Sequence, residues 1–114
     1  MNLVLAARSP DLLEAVALEM RELGVKAIVV PTDVSDDSQL QQLVDRTLSE
    51  FGSIDVLVNN AGIAGPTGGG DEIKPADWDR TVAINLSGQF YCLNHAVPLL
   101  KKSKNPSIIG ISSV

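Results

Sequence analysis

Hydrophobic positions along the chain fall into two kinds of pattern. Four short apolar runs, at residues 3–6, 27–30, 54–58 and 108–111, lack the alternation of a strand with one wet face. Strands apolar on both faces belong in a parallel sheet covered above and below. Between the first two runs Leu12, Leu13, Val16, Met20 and Leu23 recur at helical spacing, with Ser9 placed to cap, Pro10 in the first turn and Gly24 as the stop. Leu40, Leu43, Val44, Leu48 and Phe51 repeat the pattern before the third run, opened by Ser35, Asp36 and Asp37 and closed by Gly52.

Residues 61–74 break the rhythm. Gly65, Pro66 and the run Gly68-Gly69-Gly70 cannot hold regular structure and predict a surface loop. A helix resumes at Pro75: Trp78, Val82 and Leu86 form one stripe, which Phe90, Leu93 and Val97 continue, with Gly88 marking a bend. Pro98 and the Asn105-Pro106 pair are expected to end it before the fourth run. The alternation predicts a single α/β domain over residues 1–114, a Rossmann-like three-layer fold in which four parallel strands carry helices on both faces.

Composition narrows the function classes. Nine Lys and Arg against 14 Asp and Glu give a net charge of −5, and no basic run is long enough to follow a phosphate backbone, so no nucleic-acid partner is expected. The longest apolar stretches fall far short of a bilayer span, which argues against a membrane and for the cytoplasm. Cys92 has no disulfide partner and no neighbour at metal-ligand spacing, so it reads as a small apolar helix residue and no metal is expected.

In open α/β folds ligands bind outside the carboxyl ends of the strands, so the residues ending each run carry the chemistry. The third run passes directly into Asn59-Asn60-Ala61-Gly62, small and amide residues that let a ligand approach the backbone, although a tight turn would also use them. The second run ends in Asp33-Val34, where Asp33 is either a ligand contact or a carboxylate capping the next helix. Asn85 interrupts an apolar stripe between Ile84 and Leu86, which asks for a buried partner. Ser112 and Ser113 end the fourth run.

In this order, Asp33-Val34, Asn59-Asn60-Ala61-Gly62, Asn85 within Val82-Ala83-Ile84-Asn85-Leu86-Ser87-Gly88, and Ser113 within Gly110-Ile111-Ser112-Ser113-Val114 resemble the motifs of the short-chain dehydrogenase/reductase family, over the whole chain. The resemblance implies a partial NAD(P)-binding Rossmann-like domain. By it, Asn60, Ala61 and Gly62 line the adenosine side of the dinucleotide and Asp33 and Val34 meet the adenine ring. Asn85 anchors a water in a proton relay, and Ser113 hydrogen-bonds the substrate. It further implies a small-molecule carbonyl or alcohol substrate, and a homo-oligomer for the intact protein. After the first run, Ala7 stands where an NAD-preferring fold places a carboxylate, and Arg8 follows. A guanidinium fork suits a ribose 2′-phosphate, so NADP is preferred over NAD; the alternative is a solvated arginine at a helix start.

Two parts of the family pattern do not occur in these residues. There is no glycine loop G-x-x-x-G-x-G between a first strand and its helix; the run from Gly65 to Gly70 has neither element beside it. There is no Tyr-x-x-x-Lys pair: His95, not lysine, stands four residues after Tyr91, and a phenol without a nearby cation is a poor proton donor at neutral pH. By the family's chain order the sequence starts at the second strand and stops after the fifth. Strands 3–7 and 54–58 would then flank the family's central first strand, about two strand spacings apart, ~9.6 Å. Unpaired backbone groups in such a gap cost on the order of 1–3 kcal/mol each. The first expectation is therefore that 3–7 closes onto 54–58 in parallel pairing, the second that a strand from another chain fills the slot.

The functional expectation is an NAD(P)(H)-dependent oxidoreductase fragment, inactive as 114 residues, whose intact relatives move a hydride between NADPH and a carbonyl or alcohol carbon. A rival is a non-catalytic remnant or interaction module of the same fold. A phosphoacceptor domain is a weaker third, since Asp33 has no acidic cluster beside it to hold Mg²⁺.

Overall fold

The computed structural model describes residues 1–113. Strand β1 (Leu3–Leu5) leads into α1 (Pro10–Glu22), and β2 (Ala27–Val29) into α2 (Asp37–Phe51). Strand β3 (Val56–Asn59) enters the glycine-containing loop before α3 (Pro75–Val82). A π-helical turn (Ala83–Ser87) joins α3 to α4 (Gly88–Leu100), and β4 (Ser107–Gly110) follows.

Helix α2 is anchored at both ends. Asp36 Oδ1 accepts from the N–H of Ser38 (3.0 Å) and of Gln39 (3.3 Å), satisfying donors that a first turn leaves over. At the far end Gly52 adopts φ 76, a left-handed conformation suited to glycine, and its N–H bonds the Leu48 carbonyl at 2.8 Å. Ser9 occupies the cap position of α1, but its side chain makes no capping bond. Pro98 does not end its helix. It lies inside α4 two residues before the last, where a missing N–H removes only one bond of the final turn. The bend expected at Gly88 is taken up by the π-helical turn just before it.

Strand pairing is parallel, as runs apolar on both faces predict. Leu3, Val4 and Leu5 face Ala27, Ile28 and Val29, and Val56 to Asn59 register with Ser107 to Gly110. The four strands nevertheless form two two-stranded sheets rather than one continuous sheet. The expected closure of β1 onto β3 does not occur: both strands wall a single cavity of about 620 Å³, lined also by Leu40 and Val44 of α2 and Ala96 of α4. Each sheet packs on its own helix, β2 on α1 and β3 on α4. Leu40, Ala96 and Leu100 are buried where α2 and α4 pack together, and His95 Nε2 on α4 meets Asp37 Oδ1 on α2 at 2.7 Å. At Gly88, α4 approaches the segment after β2 so closely that a Cβ would stand 2.9 Å from Val34 Cγ2.

The open slot shows in the dimensions. Accessible surface is 7771 Å², against about 6,000 Å² for a compact domain of this mass. The radius of gyration is 15.6 Å, against about 13 Å for a compact chain of this length. Buried apolar side chains fall into two groups, Ala17 and Ala27 on α1 and β2, and Leu40, Ile84, Ala96 and Leu100 on the second half.

Candidate functional site

Three strand ends converge on a second cavity, of about 360 Å³. Ala7 and Arg8 follow β1, Thr32, Asp33 and Val34 follow β2, and Ala61 and Gly62 follow β3; Ile84 of the π-helical turn and α1 side chains complete the lining. Five of the six residues assigned to the cofactor on sequence grounds, Arg8, Asp33, Val34, Ala61 and Gly62, thus share one site. Asn60 lines the larger inter-sheet cavity next to it.

Asp33 organises the turn at the end of β2. Its Oδ1 accepts from the Ser35 hydroxyl (2.6 Å) and the Ser35 N–H (3.0 Å), while its own N–H donates to Gln39 Oε1 at 2.8 Å. The Ser35 hydroxyl, then the Ser35 amide, hold the carboxyl below its ordinary value, with Arg8 and Arg80 adding to the effect against the cost of burial. Capping of α2 falls to Asp36, not Asp33. Arg8 is exposed and lines the cavity.

The buried partner that Asn85 requires is backbone. Ile63 N–H donates to Asn85 Oδ1 and Asn85 Nδ2 donates to the Ile63 carbonyl, both at 2.8 Å. This two-bond clamp ties the π-helical turn to the residue after Gly62, whose Cβ position lies 3.4 Å from Asn85 Oδ1. Ser113 lies beyond the end of β4 in an exposed stretch and lines neither cavity. Val114, the last residue of that motif, is outside the described residues.

Sequence reasoning passed over Thr32 and the α1 face of the site. Thr32 is 3 % exposed, its hydroxyl donating to the Val30 carbonyl at 2.8 Å; the strand-end rule that selects Asp33 covers it as well. Leu12 and Val16 read as core positions by periodicity, yet they are 72 % and 44 % exposed and border the cavity. Tyr91 packs edge-on against Phe90, with ring centroids 6.1 Å apart, and His95 bridges to Asp37, so neither forms an acid/base pair with the other. Cys92 is half-buried on the wall of the larger cavity, and burial pushes its thiol up. In the glycine loop, Gly69 N–H donates to Glu72 Oε2 at 3.2 Å, so an anion of the chain itself takes an amide that a phosphate cradle would offer. No helix among the described residues is long and apolar enough to cross a membrane.

Known proteins resemble this chain in sequence and in fold. The chain is 40% identical over 99 residues to cis-4-hydroxycyclohexanecarboxylate dehydrogenase of Sinomonas cyclohexanicum, covering 87% of this chain and 40% of that protein. It is 35% identical over 112 residues to 3-oxoacyl-(acyl-carrier-protein) reductase of Staphylococcus aureus, covering 95% and 44%. The chain therefore spans less than half the length of these relatives. Among solved structures, a 3-ketoacyl-ACP reductase from Sinorhizobium meliloti superposes with a TM-score of 0.92 at 38% identity, over 96% of this chain and 43% of that one. A metagenomic short-chain oxidoreductase in complex with NADP superposes with a TM-score of 0.93 at 34% identity, over 99% and 51%. The model of the short chain dehydrogenase family matches residues 1–114, end to end, and the chain belongs to that family of oxidoreductases.

Proposed function

We propose that these residues form the adenosine-side half of an NADP(H)-dependent oxidoreductase acting on a carbonyl or alcohol carbon of a small molecule. The observation that carries the reading is the convergence of Arg8, Asp33, Val34, Ala61 and Gly62 on one cavity at the strand ends. The donor set fits the adenosine end of NADP. Arg8 offers a charged fork at the mouth for a 2′-phosphate, Val34 and Ile84 offer apolar contact to a ring, and Ala61 and Gly62 leave the backbone open to approach. The solved neighbour that carries NADP supports the same choice.

NADPH, when bound, supplies the hydride. The chain's own part is to hold and orient. Asp33, fixed by Ser35, presents Val34 to the ring side of the site. Asn85 holds the segment after Gly62 against the π-helical turn, and in this reading it anchors a water of the proton relay. Ser113 donates a hydrogen bond to the substrate oxygen. The exposed Trp78 of α3, Leu86 of the π-helical turn and Phe90 of α4 support self-association of the intact protein.

The test is Arg8→Ala in the protein that carries these residues. NADPH binding should weaken by about 1.5–3 kcal/mol, the range for a charge-assisted hydrogen bond, with NADH binding nearly unchanged. Equal losses for the two cofactors would make Arg8 structural and remove the basis for preferring NADP.

A further inference from the structure

Val34 stands between the strand-end cavity and helix α4. It lines that cavity together with Ile84 of the π-helical turn, and behind it lies Gly88, buried at the first position of α4. A Cβ at Gly88 would sit 2.9 Å from Val34 Cγ2, 3.2 Å from Val34 Cβ and 3.1 Å from the Val34 carbonyl oxygen. Carbon atoms pack at about 3.5–4.0 Å, so alanine does not fit there without movement. The backbone of Gly88 is ordinary helix, φ −59 and ψ −40, a conformation that any residue adopts and in which glycine is a poor choice. The close approach of Val34, not the local conformation, is what calls for glycine. The chain on both sides of Val34 is pinned: Thr32 N–H donates to the Ala7 carbonyl (2.9 Å), Asp33 N–H to Gln39 Oε1 (2.8 Å), Ser35 N–H to Asp33 Oδ1 (3.0 Å) and Asp36 N–H to the Asp33 carbonyl (3.0 Å). A push from α4 therefore falls on Val34 itself.

We propose that Gly88 is a positioning residue for the adenine ring, acting through Val34: its missing side chain lets Val34 and Ile84 stand at the spacing that grips a flat ring. The inference rests on the reading of the strand-end cavity as an adenosine site. Ile84 and Gly88 are four residues apart, neighbours on one helix face. That face thus supplies one apolar wall of the ring slot and sets how near the other wall, Val34, can come. Gly88 does not itself line the strand-end cavity, so it touches no ligand there. A ring between two apolar side chains is held by dispersion, and a gap of about 0.5–1 Å on one side forfeits roughly a quarter to a half of that contact. A methyl group at position 88 pushes Val34 away from α4, and so away from Ile84, opening such a gap.

The experiment is a double-substitution cycle in the protein that carries these residues, read as affinity for 5′-AMP and for 2′,5′-ADP. Gly88→Ala should weaken both ligands alike, by about threefold to tenfold, the size of coupling between residues in contact. The ratio of the two affinities should hold, because the 2′-phosphate is met elsewhere. Val34→Ala should weaken both by itself, through lost apolar contact. In the Val34→Ala background Gly88→Ala should cost nothing further, since the 2.9 Å contact is gone and those at 3.1 and 3.2 Å ask for only a small shift. Losses that multiply would overturn the inference, because Gly88 would then act through the fold at large. So would a Gly88→Ala protein that binds both ligands as the unsubstituted one does. Should Gly88→Ala alone fail to fold, the comparison runs between Val34→Ala and the double variant: equal affinities support the inference, and a further loss, or a double variant that also fails to fold, overturns it. An unsubstituted protein that binds neither ligand is a separate outcome, which overturns the adenosine reading and this inference with it.

Discussion

The carboxyl ends of the strands and the edges of the strands are built in contrasting ways. At the ends most contacts are short in sequence: Asp33 with Ser35, and Asp36 with Ser38 and Gln39. One longer clamp, Asn85 to Ile63, brings the π-helical turn against the end of β3. At the edges everything depends on a partner strand, and the facing edges of β1 and β3 have none among the described residues. The binding end of an α/β unit can thus be assembled by turns and helix contacts while the middle of its sheet is open. Site geometry and sheet continuity are separable properties of this chain.

That separation is most exposed to an activity measurement. The purified 114-residue chain should show no sustained NADPH-dependent reduction of simple ketones, aldehydes or quinones, followed by NADPH absorbance. Lack of a positioned proton donor alone lowers rates about a hundredfold to ten-thousandfold. Steady turnover would mean that the strand ends suffice for chemistry, and the contrast between ends and edges would lose its functional meaning.

Smaller effects test the ends themselves. Asn85→Ala deprives both the N–H and the C=O of Ile63 of their partner, and should lower stability by about 2–4 kcal/mol in urea unfolding. An unchanged midpoint would show that the clamp does not hold the end of β3. Gly88→Ala sets a methyl group 2.9 Å from Val34 Cγ2 and 3.1 Å from the Val34 carbonyl. The expected cost is about 1–3 kcal/mol, with amide shifts centred on Val34 rather than on β4. The smallest effect concerns acid. Because the Asp33 pKa is lowered in the folded chain, its contribution is fully present above the ordinary carboxylate range and is lost as pH falls through the lowered value. Asp33→Asn should therefore lower stability in the neutral region and leave the acid side nearly unaltered, so that stability falls less steeply as pH drops, as read from unfolding midpoints across pH.

What was legible in the sequence follows the same division. The glycine stop of α2, the parallel pairing and the grouping of Arg8, Asp33, Val34, Ala61 and Gly62 all rest on local patterns or on the strand-end rule, and the structure places each accordingly. Closure of β1 onto β3 was a long-range inference from the cost of unpaired groups. It failed among the described residues: β1 pairs with β2 and β3 with β4, with β2 packed on α1 and β3 on α4. Pro98 was read as a helix end, but one lost bond in a final turn is too small a penalty to stop α4 at that residue. The side-chain role of Asn85 was invisible because Ile63 offers only backbone, which has no sequence signature.

The most direct test of the account is a titration of the chain with 2′,5′-ADP and with 5′-AMP, followed at the backbone amides by NMR. If the strand ends form the adenosine side of an NADP site, 2′,5′-ADP should shift Arg8, Asp33, Val34, Ala61 and Gly62. It should also bind about tenfold or more tightly than 5′-AMP, the difference one charge-assisted hydrogen bond supplies. Equal affinities, or shifts that bypass these five residues, would contradict it.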